Sequence, residues 1–363
     1  MLNWIFNRSE MRDNDQTYLS SVFETARFIY YRGRKHFYRY VKNRIKWYIY
    51  PRFQKLPKFP DHIDIELSSA CNMRCPMCFT TTDEFKTNVK TAVMSFDLFK
   101  KIVDEAVAHN VFSIRLSWRG EPTLNPNYIE MIRYAKEKGI KEVSSLTNLL
   151  KMTPEMFEEM VDLEMDWLTI SFDGMGETYN RIRHPAKFED AVEKIRKFSE
   201  IKKRKKSIKP VVKIQGVWPA VQEDPQAFYD VFRGIVDQVA VNPLLDYLRN
   251  DEEGQIVFRE NFTCPILWQR FAVGADGLIS LCIHDELSHH IIGDINEQSI
   301  AEIWNGPELQ AARESHKNHQ GMSDYKACAE CFLPRASEAE TTEVDNRSVV
   351  VNNMINRPSV VGK

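Results

Sequence analysis

The 363-residue sequence has no apolar stretch long enough to cross a bilayer. Its longest aromatic-rich stretch, residues 28–50, is broken by charge every two or three residues. Residues 1–8 lack a basic start followed by an apolar run, so no secretory signal is expected. A formal net charge of only −2 gives no global pull toward nucleic acid, and specific nucleic-acid binding is not expected. No internal repeat is present. The cysteine count, seven, is odd and argues against a closed disulfide framework. With 43% hydrophobic and 28% charged residues, the composition is that of an ordinary globular chain, expected in the cytoplasm.

What is present is unevenly placed. Residues 1–60 hold thirteen lysines and arginines against four acidic residues, so this segment is about +9 and the remainder about −11. Aromatic side chains such as Tyr30, Phe37, Tyr38, Trp47 and Tyr48 are threaded through it. A basic, aromatic helical extension has three uses. It can pack as a cap, lie on an anionic membrane surface through residues 1–55, or bind RNA.

From residue 62 to 243 the chain alternates β-branched runs with amphipathic helical patterns. Strands are predicted at 62–67, 113–118, 142–146, 167–172, 211–218 and 238–242. Helices are predicted at 95–109, 127–138, 153–163, 188–202 and 224–235. Ser95 is a predicted N-cap, and Pro154 suits the first helical position after Thr153. Six such alternations predict a parallel sheet with right-handed crossovers. A closed eight-stranded barrel needs around 250 residues and only about 180 are available here. The expected fold is therefore α/β, a partial, open (β/α)6 TIM-type barrel with a helical N-terminal extension. A hairpin turn at Gly274–Gly277 and a helix near 299–304 predict a small C-terminal domain. The expected divisions are 1–60, 61–250, 251–335 and a polar, flexible tail over 336–363.

The cysteines fall into a group of three and a group of four. Cys71, Cys75 and Cys78 lie on one tight loop after the first predicted strand. Three thiolates can bind three irons of a cubane cluster and leave the fourth iron open for chemistry; half of a zinc site is the other reading. Cys264, Cys282, Cys328 and Cys331 offer four soft ligands from separated segments. They suit tetrahedral zinc or a fully ligated iron–sulfur cluster.

The Cys-x3-Cys-x2-Cys loop, flanked by Phe79, resembles the signature of the radical S-adenosylmethionine superfamily. The resemblance implies a [4Fe–4S] cluster on Cys71, Cys75 and Cys78 that binds S-adenosyl-L-methionine and cleaves it to a 5′-deoxyadenosyl radical. It also predicts motifs at later strand ends. Arg119-Gly120-Glu121-Pro122 is similar to the family's Gly-Gly-Glu-Pro, which grips the methionine amino group, with Arg119 in place of the first glycine. Thr147-Asn148-Leu149 stands where the family often has Thr-Asn-Gly. Ser171-Phe172-Asp173-Gly174, followed by Tyr179, Arg181 and Arg183, matches a region that contacts the ribose and the methionine carboxylate. By position Ser171 takes the ribose and Arg183 the carboxylate, with Arg181 the alternative. All of these fall at C-terminal strand ends, where barrels place their sites.

The four late cysteines, with Gly293-Asp294-Ile295 and Ile303-Trp304-Asn305 between them, resemble the superfamily's SPASM/twitch auxiliary-cluster domain. They look like the shortened twitch form, with one further [4Fe–4S] cluster. Such a cluster can accept the electron left on a substrate radical. The layout resembles a twitch-type aminocyclitol dehydrogenase, and the implied reaction is oxidation of an alcohol in a sugar, cyclitol or saccharide conjugate. A reductant such as flavodoxin or ferredoxin is implied. Glu121, Gln215, Asp246 and His284 are candidate proton acceptors, and Trp118 and Trp218 could line a sugar. Modification of a peptide side chain and a non-catalytic metal-stabilised module are the alternatives.

Overall fold

The computed structural model describes residues 16–245, 256–260, 262–355 and 361. All six predicted strands form: β2 (His62–Ile65), β3 (Ser113–Arg115), β4 (Glu142–Thr147), β5 (Trp167–Ser171), β6 (Val211–Val217) and β7 (Gln238–Asn242). Each pairs in parallel with the next, in the order the alternation requires. The sheet gains two strands that the periodicity does not reveal. β1 (Thr17–Tyr18) runs antiparallel along β7, and β8 (Arg270–Val273) runs parallel along β2. The order is β1-β7-β6-β5-β4-β3-β2-β8, an open eight-stranded sheet curled as a partial barrel.

The connecting helices are set by local chemistry. Ser95 Oγ accepts the Leu98 N–H at 3.2 Å to start Phe96–Ala108, and Thr153 Oγ1 accepts that of Met156 at 3.3 Å ahead of Pro154–Asp162. Apolar residues on these helices, including Phe99, Phe157 and Phe198, are buried against the sheet.

Residues 22–52 form two helices, α1 (Val22–Gly33) and α2 (Phe37–Arg52), laid across the N-terminal end of the barrel. Phe28 meets Trp167 edge-on with ring centroids 5.7 Å apart, and Trp47 meets His62 in the same way at 5.9 Å. Arg32 donates to both Glu142 carboxylate oxygens, at 2.8 and 3.2 Å, and stacks over Trp167. Burial raises the Glu142 pKa, but the charges of Arg32 and Arg44 and the Arg32 hydrogen bonds together outweigh it and hold the carboxyl below its usual range. Of the three uses open to this segment, capping is thus realised.

Beyond β8, Gly277 (φ +94) closes a turn into β9 (Leu278–Ser280), which pairs with β10 (Ile291–Asp294). The helix Ile300–Trp304 begins with a Ser299–Glu302 capping box, and the Glu105 carboxylate of the barrel accepts the Ile300 and Ala301 N–H groups at 3.0 Å. The C-terminal region departs from expectation. Residues 336–363, read as a flexible tail, contain an antiparallel hairpin of β11 (Ser337–Val344) and β12 (Arg347–Met354). Val344, Val349 and Val351 face inward and join the main core, while Glu343, Ser348 and Val350 point out, and this inward face is why a polar-looking stretch folds.

Candidate functional site

The loop after β2 carries Cys71, Cys75 and Cys78. The Cys78 N–H donates to the Cys75 carbonyl at 3.0 Å, and Arg74 donates to the Cys71 and Met73 carbonyls, also at 3.0 Å. Burial pushes all three thiols up in pKa, and each raises a neighbour further. Holding them as thiolates therefore calls for positive charge, which iron supplies. Gly120 braces the loop from the end of β3. It has φ +51, and a Cβ there would stand 2.3 Å from the Ser68 carbonyl oxygen and 2.5 Å from that of Ala70. Only glycine fits that approach.

Glu121 is engaged as a brace. Its buried carboxylate accepts from Thr123 Oγ1 at 2.6 Å, Thr147 Oγ1 at 2.8 Å and the Asn148 N–H at 2.7 Å, tying the ends of β3 and β4 together. Pro122 opens the buried turn that follows. Asn148 then reaches back to the cysteine loop, donating to Asn72 Oδ1 at 2.7 Å with Cys71 Sγ at 3.7 Å. Phe79 packs edge-on against Phe85 in a small apolar cluster with Val89 and Leu287.

On the other side of the loop lies Arg183, whose guanidinium interacts with Cys75. Burial lowers its pKa, but Asp173 and then Cys75 more than offset this and keep it charged. Asp173, at the end of β5, holds Arg183 Nη2 at 2.5 Å through one carboxylate oxygen and accepts the Val217 N–H at 2.8 Å through the other. Arg183 Nε and the Tyr179 hydroxyl are buried with no hydrogen-bond partner among the described residues. Buried unmatched donors beside three thiols suit an anionic ligand carrying acceptors, such as a cluster bearing a carboxylate. Arg181, by contrast, is exposed and donates to the Val361 carbonyl at 3.2 Å. Ser171 ends β5 at the same rim.

The four late cysteines line one small pocket together with His284 and His316. Burial, then mutual repulsion, drives the Cys282 thiol far up, and Cys331 is raised in the same sense. The Leu333 N–H points at Cys331 Sγ at 3.4 Å, as amides do around cluster sulfurs. His316 lies 3.4 Å from Cys328 Sγ, and burial lowers its pKa to about 4, so it is neutral there.

The two cysteine groups are joined by residues whose role the motif reading missed. Trp118 Nε1 donates to the Ile283 carbonyl at 2.7 Å, one residue past Cys282. Arg119 forms two 2.7 Å bonds with the buried Glu66 carboxylate and a third with Ser288 Oγ. Glu66 in turn accepts the Ala275 N–H at 2.9 Å. The arginine that replaces the family's glycine is thus a strut between barrel and C-terminal domain, and the departure from the motif was its signal. Trp118 is engaged in the same strut. Trp218 is buried, with Nε1 donating to Glu340 at 3.1 Å, and so does not line a surface, whereas Trp118 is half-buried.

A shallow cleft opens between Leu245, just after β7, and the C-terminal domain; His284, Glu286, His289, Glu330, Cys331 and Arg335 help line it. Of the candidate proton acceptors, His284 borders both this cleft and the cysteine cavity, and its buried Nε2 has no hydrogen-bond partner among the described residues. Gln215 does not qualify. Its Oε1 accepts from Lys213 and Gln16, both at 2.8 Å, within the barrel. Asp246 lies outside the described residues.

A model of the radical SAM superfamily matches residues 65–214, and a model of the SPASM iron–sulfur cluster-binding domain matches residues 264–332. The chain therefore belongs to the radical S-adenosylmethionine superfamily, as a member with a C-terminal auxiliary-cluster domain. Its cofactors are S-adenosylmethionine, the [4Fe–4S] cluster that binds it, and auxiliary iron–sulfur. One relative is the tungsten-containing aldehyde ferredoxin oxidoreductase cofactor-modifying protein of Pyrococcus furiosus. It is 27% identical over 264 residues, which are 70% of this chain and 72% of the relative. The fold is shared with BtrN in complex with AdoMet and 2-DOIA (TM-score 0.52, 17% identity, covering 76% of this chain and 94% of BtrN). It is shared equally with Streptococcus suis SuiB bound to the precursor peptide SuiA (TM-score 0.52, 14% identity, covering 76% of this chain and 72% of SuiB).

Proposed function

We propose that this enzyme oxidises a secondary alcohol of a small hydroxylated molecule, a sugar, cyclitol or saccharide conjugate, to a ketone. The observation that carries the reading is the single cavity gathering Cys264, Cys282, Cys328 and Cys331, which shares Cys331 and His284 with the open cleft. When bound, the cofactors would supply a 5′-deoxyadenosyl radical and an electron acceptor.

The chain's own residues divide the rest. Cys71, Cys75 and Cys78 hold the first cluster. The turn at Gly120–Pro122 and Asn148 position the methionine moiety, Arg183 pairs with its carboxylate, and Ser171 faces the ribose. After a hydrogen atom leaves the substrate carbon, His284 would take the hydroxyl proton, and Cys264, Cys282, Cys328 and Cys331 would hold the group that accepts the remaining electron. Two electrons and two protons are thereby removed in all. A flavodoxin or ferredoxin supplies the starting electron. The fold shared with BtrN, whose complex holds 2-DOIA, favours a small molecule, whereas the fold shared with SuiB favours a peptide.

The test is turnover of anaerobically reconstituted enzyme against deuterated polyols, aminocyclitols and glycosides, with peptides as a parallel set. The proposal expects one ketone per 5′-deoxyadenosine and deuterium in the 5′-deoxyadenosine. Turnover of substrate with no oxidised product would sink it.

A further inference from the structure

Sixteen large hydrophobic side chains are exposed among the described residues, and ten of them lie between Val22 and Phe53, less than a tenth of the chain. Phe23 is 88% exposed, Tyr38 79% and Phe53 65%. Soluble surfaces seldom concentrate apolar side chains in this way without a partner. The pattern follows from the helices. On α2 the residues Tyr40, Asn43, Trp47 and Pro51 are buried on the barrel, whereas Tyr38, Val41, Ile45 and Tyr48 form a second stripe that faces out. This helix is apolar on two faces, and the barrel consumes only one.

The charges around that stripe identify the partner. Arg27, Arg34, Arg39, Lys42, Arg52 and Lys55 are exposed among the apolar residues, and from residue 22 to 60 the sole carboxylate is Glu24. Glu24 is engaged, accepting from Ser21 N and the Tyr229 hydroxyl. A second copy of the same face would set cations against cations with no carboxylate to neutralise them. A surface that combines acyl chains with anionic headgroups satisfies both halves of the pattern.

We propose that the outer face of α1 and α2 docks the protein on an anionic lipid bilayer. The contact is peripheral, since no described helix is long and apolar enough to cross a membrane. The docking fixes an orientation. α1 and α2 contact residues at or before strand starts, namely His62, Phe112, Glu142 and Gln269, whereas the cysteine loop follows the other end of β2. The barrel mouth and its cleft therefore face away from the bilayer, and substrate arrives from the aqueous side.

The experiment is co-sedimentation of the full-length holoprotein with phosphatidylserine–phosphatidylcholine vesicles and with pure phosphatidylcholine vesicles, at low and high salt. Two outward-facing variants, Arg39→Glu/Lys42→Glu and Tyr38→Ser/Ile45→Ser/Tyr48→Ser, accompany it. The expected result is binding to the anionic vesicles only, weakened by salt, and weakened at least about tenfold in each variant. Iron content and S-adenosylmethionine cleavage should stay at wild-type levels in both variants, which excludes misfolding. No sedimentation, equal binding to uncharged vesicles, or loss of the patch's effect in favour of a self-associated dimer or an RNA complex would each overturn the proposal.

Discussion

Arg119 is the residue on which the two halves of the site depend. It is buried to 4% exposure against Glu66 at 1%, so replacing it with alanine strands a carboxylate without its cation. Removing one partner of such a pair costs about 3–5 kcal/mol. Arg119→Ala should unfold at a visibly lower temperature and give fewer ketones per 5′-deoxyadenosine. Arg119→Ala/Glu66→Gln should recover stability but not that ratio. Recovery of both would reduce the strut to a stability element. Lys213 is a second buried charge, beside Gln215 and over Trp167. Burial, followed by the charges of Arg32 and Arg115, lowers its pKa to about 7. The unfolded chain keeps this proton up to the ordinary lysine range, so folding is penalised in full below pH 7 and the penalty fades between about 7 and 10.5. Lys213→Met should stabilise by roughly 2–5 kcal/mol at or below pH 7 and by little above pH 10.5. Thermal unfolding across that range checks it, and a gain independent of pH would contradict it. The residue scale was also where the sequence was least legible. Motif position left Arg181 and Arg183 open, and only geometry places Arg183 beside Cys75. Leu149, where glycine was expected, keeps the left-handed backbone (φ +69) with its side chain buried.

At the scale of elements, the six parallel strands and their helices were readable from their periods, and three of the five helices also carry a side-chain cap, from Ser95, Thr153 and Asp224. β1 and β8 were not readable. They are two and four residues long, and their burial comes from the neighbouring strand they meet and not from a pattern of their own. The β11–β12 hairpin was missed for a related reason. Its outward residues are mostly polar, and its inward valines count only once the barrel offers them a surface. Val344, Val349, Val351 and Met354 are all at most 7% exposed, and each buried side chain of this kind contributes about 1.5–3 kcal/mol. Removing residues 337–363 should therefore lower stability by several kcal/mol, measured by denaturant unfolding. A truncated chain as stable as the full one would show the hairpin to be an ornament on the core.

At the scale of the whole molecule, seven cysteines that partition as three and four describe two metal centres, one on the loop after β2 and one in the C-terminal domain, whose Cys331 borders the cleft. The partition was legible because ligand chemistry is written in residue type and spacing. The link between the centres was not, since Trp118, Arg119 and Glu66 meet only through tertiary contact. The most direct test is the iron and sulfide content of anaerobically reconstituted protein, measured beside the triple variant Cys71→Ala/Cys75→Ala/Cys78→Ala. The account predicts about eight irons in the native protein and about four in the variant, by the stoichiometry of two four-iron clusters. About four irons with one zinc in the native protein would leave the radical chemistry in place and remove the electron acceptor, contradicting the oxidation proposed here.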